Sequence, residues 1–427
     1  MESPTKGRRP CVSRVTADTL VELVYDPDKR TTALLVSERG ADWRIEQEVQ
    51  LGNETLVPYA PTNNLIENEC VKLPSAPQNF VTKQDLVAEI EAFLHRYVDL
   101  SPLFEKIAAH YILLSWVHDA FNEVPYLRLQ GRYGSGKTRG LLAIGSLAYK
   151  AFFASGASTT SPIFHTLDAF GGTLILDEAD FRFSDATSDL VKIFNNGTVR
   201  GLPVLRTIQN RHKEFNPQAF KVFGPKIVAM RGTFEDEALE SRFITEFTGH
   251  CRLRSDVPIH LPDAFKAEAL ALRNKLLHFR IVERGGIALD PTAMDAAMVP
   301  RLKQIAIPLL TLVDDITLRS EIAVELARQY EAIPARRAES LEARVASVLH
   351  HSFERNSRTY VALREVADTV NEQYGDEAGE VVTSKVVGSI LRKRLDIKTS
   401  RRGGNYVVPS TEKKKVEMLN NEFFRLG

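Results

Sequence analysis

Apolar and polar residues alternate in short runs near the start of the chain and then change period. Thr19–Tyr25, Thr32–Val36 and Trp43–Gln47 repeat with a period near two, between turn residues such as Asp26-Pro27-Asp28. That is the pattern of short strands with one buried face. It predicts a small β-rich domain over residues 1–75, with residues 1–12 disordered. Lys72 to Val81, marked by Pro74 and Pro77, reads as a linker. From there the period lengthens. Leu86, Ile90 and Leu94 recur behind a Thr82 N-cap, and Ser101-Pro102 opens a second helix running to about Phe121. These two helices form a lead-in over residues 82–122.

Beyond it, short apolar strands and helices alternate. Strands are expected at 126–130, 151–154, 171–177, 203–208, 219–223, 224–231 and 244–247, with helices at 141–148, 161–167, 188–194 and 237–243. They define an α/β core over residues 123–255. Residues 256–332 keep helical spacing and read as a helical lid, and 333–340 as a linker. Residues 341–410 predict three helices, Leu341–Phe353, Leu363–Tyr374 and one capped by Thr383 that runs to Arg394. A β-ribbon turning at Gly403-Gly404 comes next, which makes this segment a winged helix with a basic tail at 411–427.

Composition narrows the picture. The 427 residues are 44% hydrophobic and 26% charged, enough for sizeable cores, and 55 Lys+Arg balance 55 Asp+Glu. The chain is therefore not basic as a whole. From Lys385 to Gly427, however, 11 Lys/Arg face 4 Asp/Glu, an asymmetry that points to nucleic acid; winged helices also dock proteins. Cys11, Cys70 and Cys251 are far apart with no Cys-x-x-Cys, so neither a zinc site nor a disulfide framework is signalled and a reducing cytoplasm is expected. No apolar run reaches membrane-spanning length, and no secretion signal opens the chain.

The chemistry concentrates after the first core strand, in Gly131-x-x-x-x-Gly136-Lys137-Thr138. Gly131, Gly134 and Gly136 let the backbone turn its N–H groups toward phosphate oxygens, and Ser135 and Arg139 flank the anion at the start of a helix. Lys137 can reach the β and γ phosphates of a nucleotide, and the Thr138 hydroxyl can ligate Mg²⁺; the bland alternative is a chance glycine-rich turn. Some 40 residues on, an apolar strand ends in Asp177-Glu178. Asp177 there would hold Mg²⁺, directly or through water, and Glu178 would polarise the attacking water; the other reading is a solvated acidic turn. The following Ala179-Asp180 completes letters shared with two-lobed RNA helicases, but the remaining chain lacks room for a second full lobe. Residues 203–223 form a hairpin pattern with Arg211, His212 and Lys213 at its tip, read either as a grip on a phosphate backbone or as a solvated turn. Arg242, in a short helix before a strand, is either a surface arginine or an arginine finger; Arg301, beside Pro300, is a weaker phosphate-sensing candidate. In the winged helix, Lys385, Arg392, Lys398, Arg401 and Arg402 are the candidate DNA contacts.

Together these motifs resemble AAA+ ATPases, and within them the minichromosome maintenance helicases and the replicative helicases of phages and other mobile elements. The resemblance covers roughly residues 82–410. It implies an AAA+ core of parallel sheet with helices on both faces, ATP and Mg²⁺ as cofactors, and a homo-oligomeric, hexameric ring acting on DNA. A single strand would pass through the pore, with duplex at the winged helix as a further expectation. Glu240-Ser241-Arg242-Phe243 is similar to that class's finger motif and implies that Arg242 acts across a subunit boundary. The hairpin stands where that class has its pore hairpin. One departure is Met230-Arg231, where a polar Asn or Thr sensor is usual; Arg231 is its possible substitute. Two alternatives stay open: an initiator or loader using ATP as a switch, and a nucleotide-gated scaffold whose tail docks a protein.

Overall fold

The computed structural model describes residues 7–38, 42–155, 158–177, 179, 185–209, 215–234, 236–249, 254–290, 292, 294, 298–338, 340–355, 359–378 and 381–424. It divides into two compact units, residues 1–327 and 328–427.

In the first unit, strands β1 (Arg8–Cys11), β2 (Ser13–Val15), β3 (Thr19–Asp26), β4 (Thr31–Glu38), β5 (Asp42–Glu46), β6 (Val49–Leu51) and β7 (Glu54–Pro58) precede a short helix, α1 (Asn64–Glu67). They make a four-stranded sheet ordered β2-β3-β4-β5 and a three-stranded sheet ordered β1-β7-β6. Arg8–Cys11, expected to be disordered, instead pairs in parallel with β7. The β-rich segment shares its apolar core with the α/β segment: Val21, Leu23, Leu34 and Val36 pack in one cluster with Phe152, Phe164 and Leu174. The stretch expected as a linker is pinned as well. Pro74 accepts from the Tyr25 N–H, Lys72 donates to Ala151, and the Asn274 side-chain oxygen takes the Ser75 N–H.

Helix α2 (Lys83–Tyr97) starts in a complete capping box, Thr82 with Asp85. Helix α3 (Pro102–Val117) has proline in its first turn and buries nearly every residue from Phe104 onward. The core then runs β8 (Tyr126–Gln130), α4 (Lys137–Leu147), β9 (Phe152–Ser155), α5 (Thr160–Phe170), β10 (Leu174–Asp177), α6 (Asp185–Asn196), a hairpin of β11 (Val204–Gln209) and β12 (Phe215–Phe220), β13 (Lys226–Met230), α7 (Glu237–Glu240) and β14 (Phe243–Phe247). Five strands form one sheet in the order β14-β8-β13-β10-β9, every pair parallel. Its strands read as near-continuous apolar runs because crossover helices cover a parallel sheet. The chain leaves β8 toward β9 and later crosses back past β8 to reach β14. Crossovers in opposite directions put helices on opposite faces and open a crevice at the carboxyl ends of the central strands, where such sheets bind ligands.

Helices α8 (Ala264–Glu283), α9 (Pro300–Leu310) and α10 (Ile316–Ala338) complete the run of elements before the second unit's core. Residues 333–338, expected as a linker, are the last turns of α10.

The second unit contains α11 (Leu341–Arg355), β15 (Tyr360–Ala362), α12 (Leu363–Ala378), α13 (Ser384–Lys393), β16 (Ser400–Arg402), β17 (Asn405–Pro409) and α14 (Lys413–Phe424). The ribbon turns at Gly403 and Gly404, with φ of 57° and 83°, left-handed values that a tight hairpin requires and glycine adopts without strain. Two elements differ from expectation. Strand β15 adds a third strand, pairing with β17. The basic tail is not an appendage: α14 buries Val416 and Phe423 in the same core as Leu349, Val366 and Leu391. The run Lys413-Lys414-Lys415 draws the eye in this tail; its two apolar anchors lie seven apart, on one helical face.

Candidate nucleotide site

Residues 131–136 connect β8 to α4, so the loop stands over the carboxyl end of a central strand. Gly134 and Gly136 have φ of 74° and 88°. Gly131 is needed for a different reason: a Cβ there would lie 2.4 Å from the Thr248 hydroxyl oxygen and 2.5 Å from its carbonyl oxygen. The Lys137 ammonium lies along the loop, donating to the carbonyls of Gly131 at 2.8 Å and Arg132 at 2.7 Å. Ser135 meets the Thr248 hydroxyl at 2.8 Å, and Thr248 donates its N–H to Gln130. The residue after β14 thus braces the loop. Sequence reading missed Thr248, and no local pattern marks it.

The side chains of Thr138, in the first turn of α4, and Asp177, at the carboxyl end of β10, come from segments 39 residues apart and meet with Thr138 Oγ1 donating to Asp177 Oδ2 at 2.8 Å. A hydroxyl and a carboxylate are hard oxygen donors suited to Mg²⁺, and they converge beside a lysine and the N-terminus of an eleven-residue helix. These residues fit a Mg²⁺-nucleotide. Glu178 lies outside the described residues, as do Arg211, His212 and Lys213. The hairpin that carries those three is present, with six residue pairs from Val204–Phe220 to Gln209–Phe215. Arg206 anchors it to α6 through Asp189 at 2.6 Å.

Arg139 is engaged elsewhere: its guanidinium donates to the carbonyls of Pro258 at 2.9 Å and Ile259 at 2.6 Å. Arg242 immediately precedes β14, and its carbonyl accepts the N–H of Tyr126, the first residue of β8. It therefore stands at the amino ends of the parallel strands, opposite the loop of its own chain. At about 3.3 Å per residue, five-residue β8 separates the two ends by roughly 16 Å. One Arg242 terminal nitrogen donates to the carbonyls of Phe194 at 3.0 Å and Asn195 at 2.6 Å, at the end of α6, while Nε is buried without a hydrogen bond among the described residues. Arg301 is brought to Arg242 rather than to Lys137, donating to Ser241 Oγ at 3.4 Å and the Ala238 carbonyl at 3.2 Å. Burial and the neighbouring Arg301 charge hold the Arg242 guanidinium below its ordinary value. Arg231 is exposed at the end of β13.

In the second unit, Lys385 and Lys398 are exposed on α13 and before β16. The guanidiniums of Arg392 and Arg401 lie 5.6 and 5.4 Å from the ring centre of Tyr406, and that of Arg402 lies 4.8 Å from the ring of Tyr360. Tyr406 and Tyr360 do not stand out in the sequence, because aromatic residues in strands usually signal core. Here they are 51% and 40% exposed; Tyr406 meets Arg401 across the local hairpin, whereas the β15–β17 pairing that brings in Tyr360 is long-range.

No family profile and no curated protein matches this chain. Among solved structures, the apo C-terminal region of NrS-1 aligns over 91% of this chain and 96% of that one, at 11% identity and a TM-score of 0.32. Another apo structure of the same region gives the same coverage and identity with a TM-score of 0.31. A JCV helicase bound to a phenoxyphenyl acetamide aligns over 59% of this chain and 66% of that one, at 14% identity and a TM-score of 0.25. Scores this low do not establish a shared fold.

Proposed function

We propose that the first unit binds and hydrolyses ATP with Mg²⁺, that it does so in a ring of identical subunits, and that hydrolysis drives movement along DNA, as in a replicative helicase of the AAA+ class. The observation that carries the nucleotide reading is the Thr138–Asp177 hydrogen bond at 2.8 Å beside Lys137, over the carboxyl ends of β8 and β10. Bound Mg²⁺ would neutralise phosphate charge there. Lys137 contributes a cation to the β and γ phosphates, and the loop N–H groups orient them. Glu178 is the proposed positioner of water.

Support for a ring comes from Arg242 and Arg301. They crowd together away from their own chain's loop, so an arginine that stabilises γ-phosphate charge would serve a neighbour, and closed symmetry lets every subunit do so. The hairpin at 204–220 is the proposed strand-gripping element. The second unit, read as a winged helix, presents Arg392, Arg401, Arg402 and Tyr406 to nucleic acid, a combination of cations and aromatic rings suited to backbone and base. The switch-like initiator is favoured by one observation, that Arg242 is docked on α6 of its own chain.

The test measures ATP turnover with and without single-stranded DNA, and strand displacement on a forked duplex, for wild type and Lys137→Ala. DNA-stimulated turnover with displacement, both lost in the variant, is the expected result. Slow turnover indifferent to DNA, without displacement by an assembled protein, would sink the helicase reading in favour of the switch.

A further inference from the structure

Arg128 occupies the middle of β8, two residues from Tyr126 at one end and two from Gln130 at the other. It is 1% exposed, inside the sheet. Its two terminal nitrogens donate to the two carboxylate oxygens of Glu240 at 2.6 and 2.5 Å, and its Nε donates to Thr245 Oγ1 at 3.1 Å. Glu240 ends α7 and is 5% exposed; its carboxylate also accepts the Phe234 N–H at 3.0 Å. The Phe243 ring lies 5.4 Å from the Arg128 guanidinium carbon.

A charged pair in this position is not what apolar packing asks for. Each ion loses its hydration, and a pair of well-packed apolar side chains often serves stability as well or better. A planar fork on a carboxylate adds something packing does not, a fixed two-point geometry. Here that geometry has a direction. Three residues past Arg128 the phosphate loop begins at Gly131. Two residues past Glu240 stands Arg242, whose carbonyl is bonded to the first residue of β8. The pair therefore ties the strand that carries the chain's own nucleotide loop to the segment that carries the arginine offered to a neighbour.

We infer that Arg128 and Glu240 are positioning residues: their bidentate pair sets the placement of Arg242 for the adjacent subunit's site. The inference rests on the proposed role of Arg242 in trans. Neither side chain touches nucleotide. A displacement of about 1 Å in a group that meets the reacting phosphate costs on the order of 10²-fold in rate, whereas nucleotide affinity in the chain's own loop is left alone.

The experiment compares wild type, Arg128→Met/Glu240→Leu, Arg242→Ala and the triple variant in steady-state ATP turnover, fluorescent-nucleotide titration and thermal melting. The paired apolar variant removes both charges at once and leaves neither buried alone. Should it not fold, Arg128→Lys replaces it, keeping the charge and losing the fork. The expected result is a fall in kcat of about 10²-fold with nucleotide Kd within about twofold of wild type, and no further fall when the pair is removed from Arg242→Ala. A folded paired variant with wild-type kcat, while Arg242→Ala is impaired, overturns the inference alone. So does a triple variant slower than Arg242→Ala, because the pair would then act by another route. Wild-type turnover by Arg242→Ala removes the finger reading itself, and this inference with it.

Discussion

Glu22→Gln tests how the N-terminal strands are joined to the core. Glu22, on β3, is 1% exposed. Its carboxylate receives Lys150 at 2.6 Å, Arg280 Nε at 2.8 Å, the Tyr149 hydroxyl at 2.9 Å and the Ser13 hydroxyl at 2.7 Å. Glutamine keeps the shape and removes the charge. Arg280 retains Asp119, at 2.6 and 2.9 Å. Lys150, itself 1% exposed, keeps the neutral oxygens of Val12 and Tyr149, the Tyr149 ring at 4.6 Å and the amide oxygen of the new glutamine, but no carboxylate among its described contacts. Leaving one buried charge without its partner costs about 3–5 kcal/mol, or a melting midpoint lower by about 6–10 °C at roughly 2 °C per kcal/mol for a unit this large. Adding Lys150→Met removes the stranded ammonium and should recover most of the loss. Urea unfolding followed by the fluorescence of Trp43, on β5, and Trp116, on α3, reads the two sides of the junction. A shift below about 1 kcal/mol for Glu22→Gln, or a double variant no better than the single one, would refute a closed network. The acid limb gives an independent check. Burial raises the Glu22 carboxyl, but the Lys150 and Arg280 charges outweigh it and the net direction is below the ordinary 4.5. Its contribution is thus present above about pH 4.5 and lost as pH falls through the lowered folded value. Glu22→Gln should flatten that part of the pH–stability curve.

Other consequences are as direct. Thr138→Ala should weaken nucleotide binding in Mg²⁺ by roughly tenfold or more and leave binding in excess chelator nearly unchanged; equal loss in both conditions would argue against a shared metal site with Asp177. Arg401→Ala/Arg402→Ala should weaken DNA binding and lower the slope of log affinity against log salt by about 0.7–0.9 for each phosphate that an arginine no longer neutralises; an unchanged slope in a salt titration would place the DNA elsewhere. On α14, Phe423→Ala should destabilise the second unit by roughly 3 kcal/mol, whereas Met418→Ala, at a position 71% exposed, should change it by less than about 0.5 kcal/mol. Equal effects in a denaturant titration would mean the helix is not docked.

Much of this architecture is written in short-range pattern. The Thr82 cap with Asp85, the Pro102 start of α3, the loop from Gly131 to Thr138 and the Gly403-Gly404 turn act within a few residues of themselves, so their letters are enough to define them. The same holds for the apolar runs that become β8, β10 and β13, since a strand covered on both faces has no polar alternation to confuse it. Where local letters misled, a distant partner decided. Arg8–Cys11 looks polar and loose but finds β7; the 333–338 stretch looks like a linker but continues α10; the tail looks merely basic, yet two apolar residues seat it in a core.

The candidate site divides the same way. The sequence by itself determined the glycine-rich loop, its lysine and threonine, and the acid at the end of a later strand, because backbone freedom and donor chemistry are properties of the residues themselves. Only the tertiary structure brought Thr138 to Asp177, set Thr248 behind the loop, carried Arg242 and Arg301 to the far end of the sheet, and closed Arg128 on Glu240. Those pairings join residues from 39 to 113 apart. They depend on strand order and crossover direction, which parallel pairing across the whole core decides and no local pattern records.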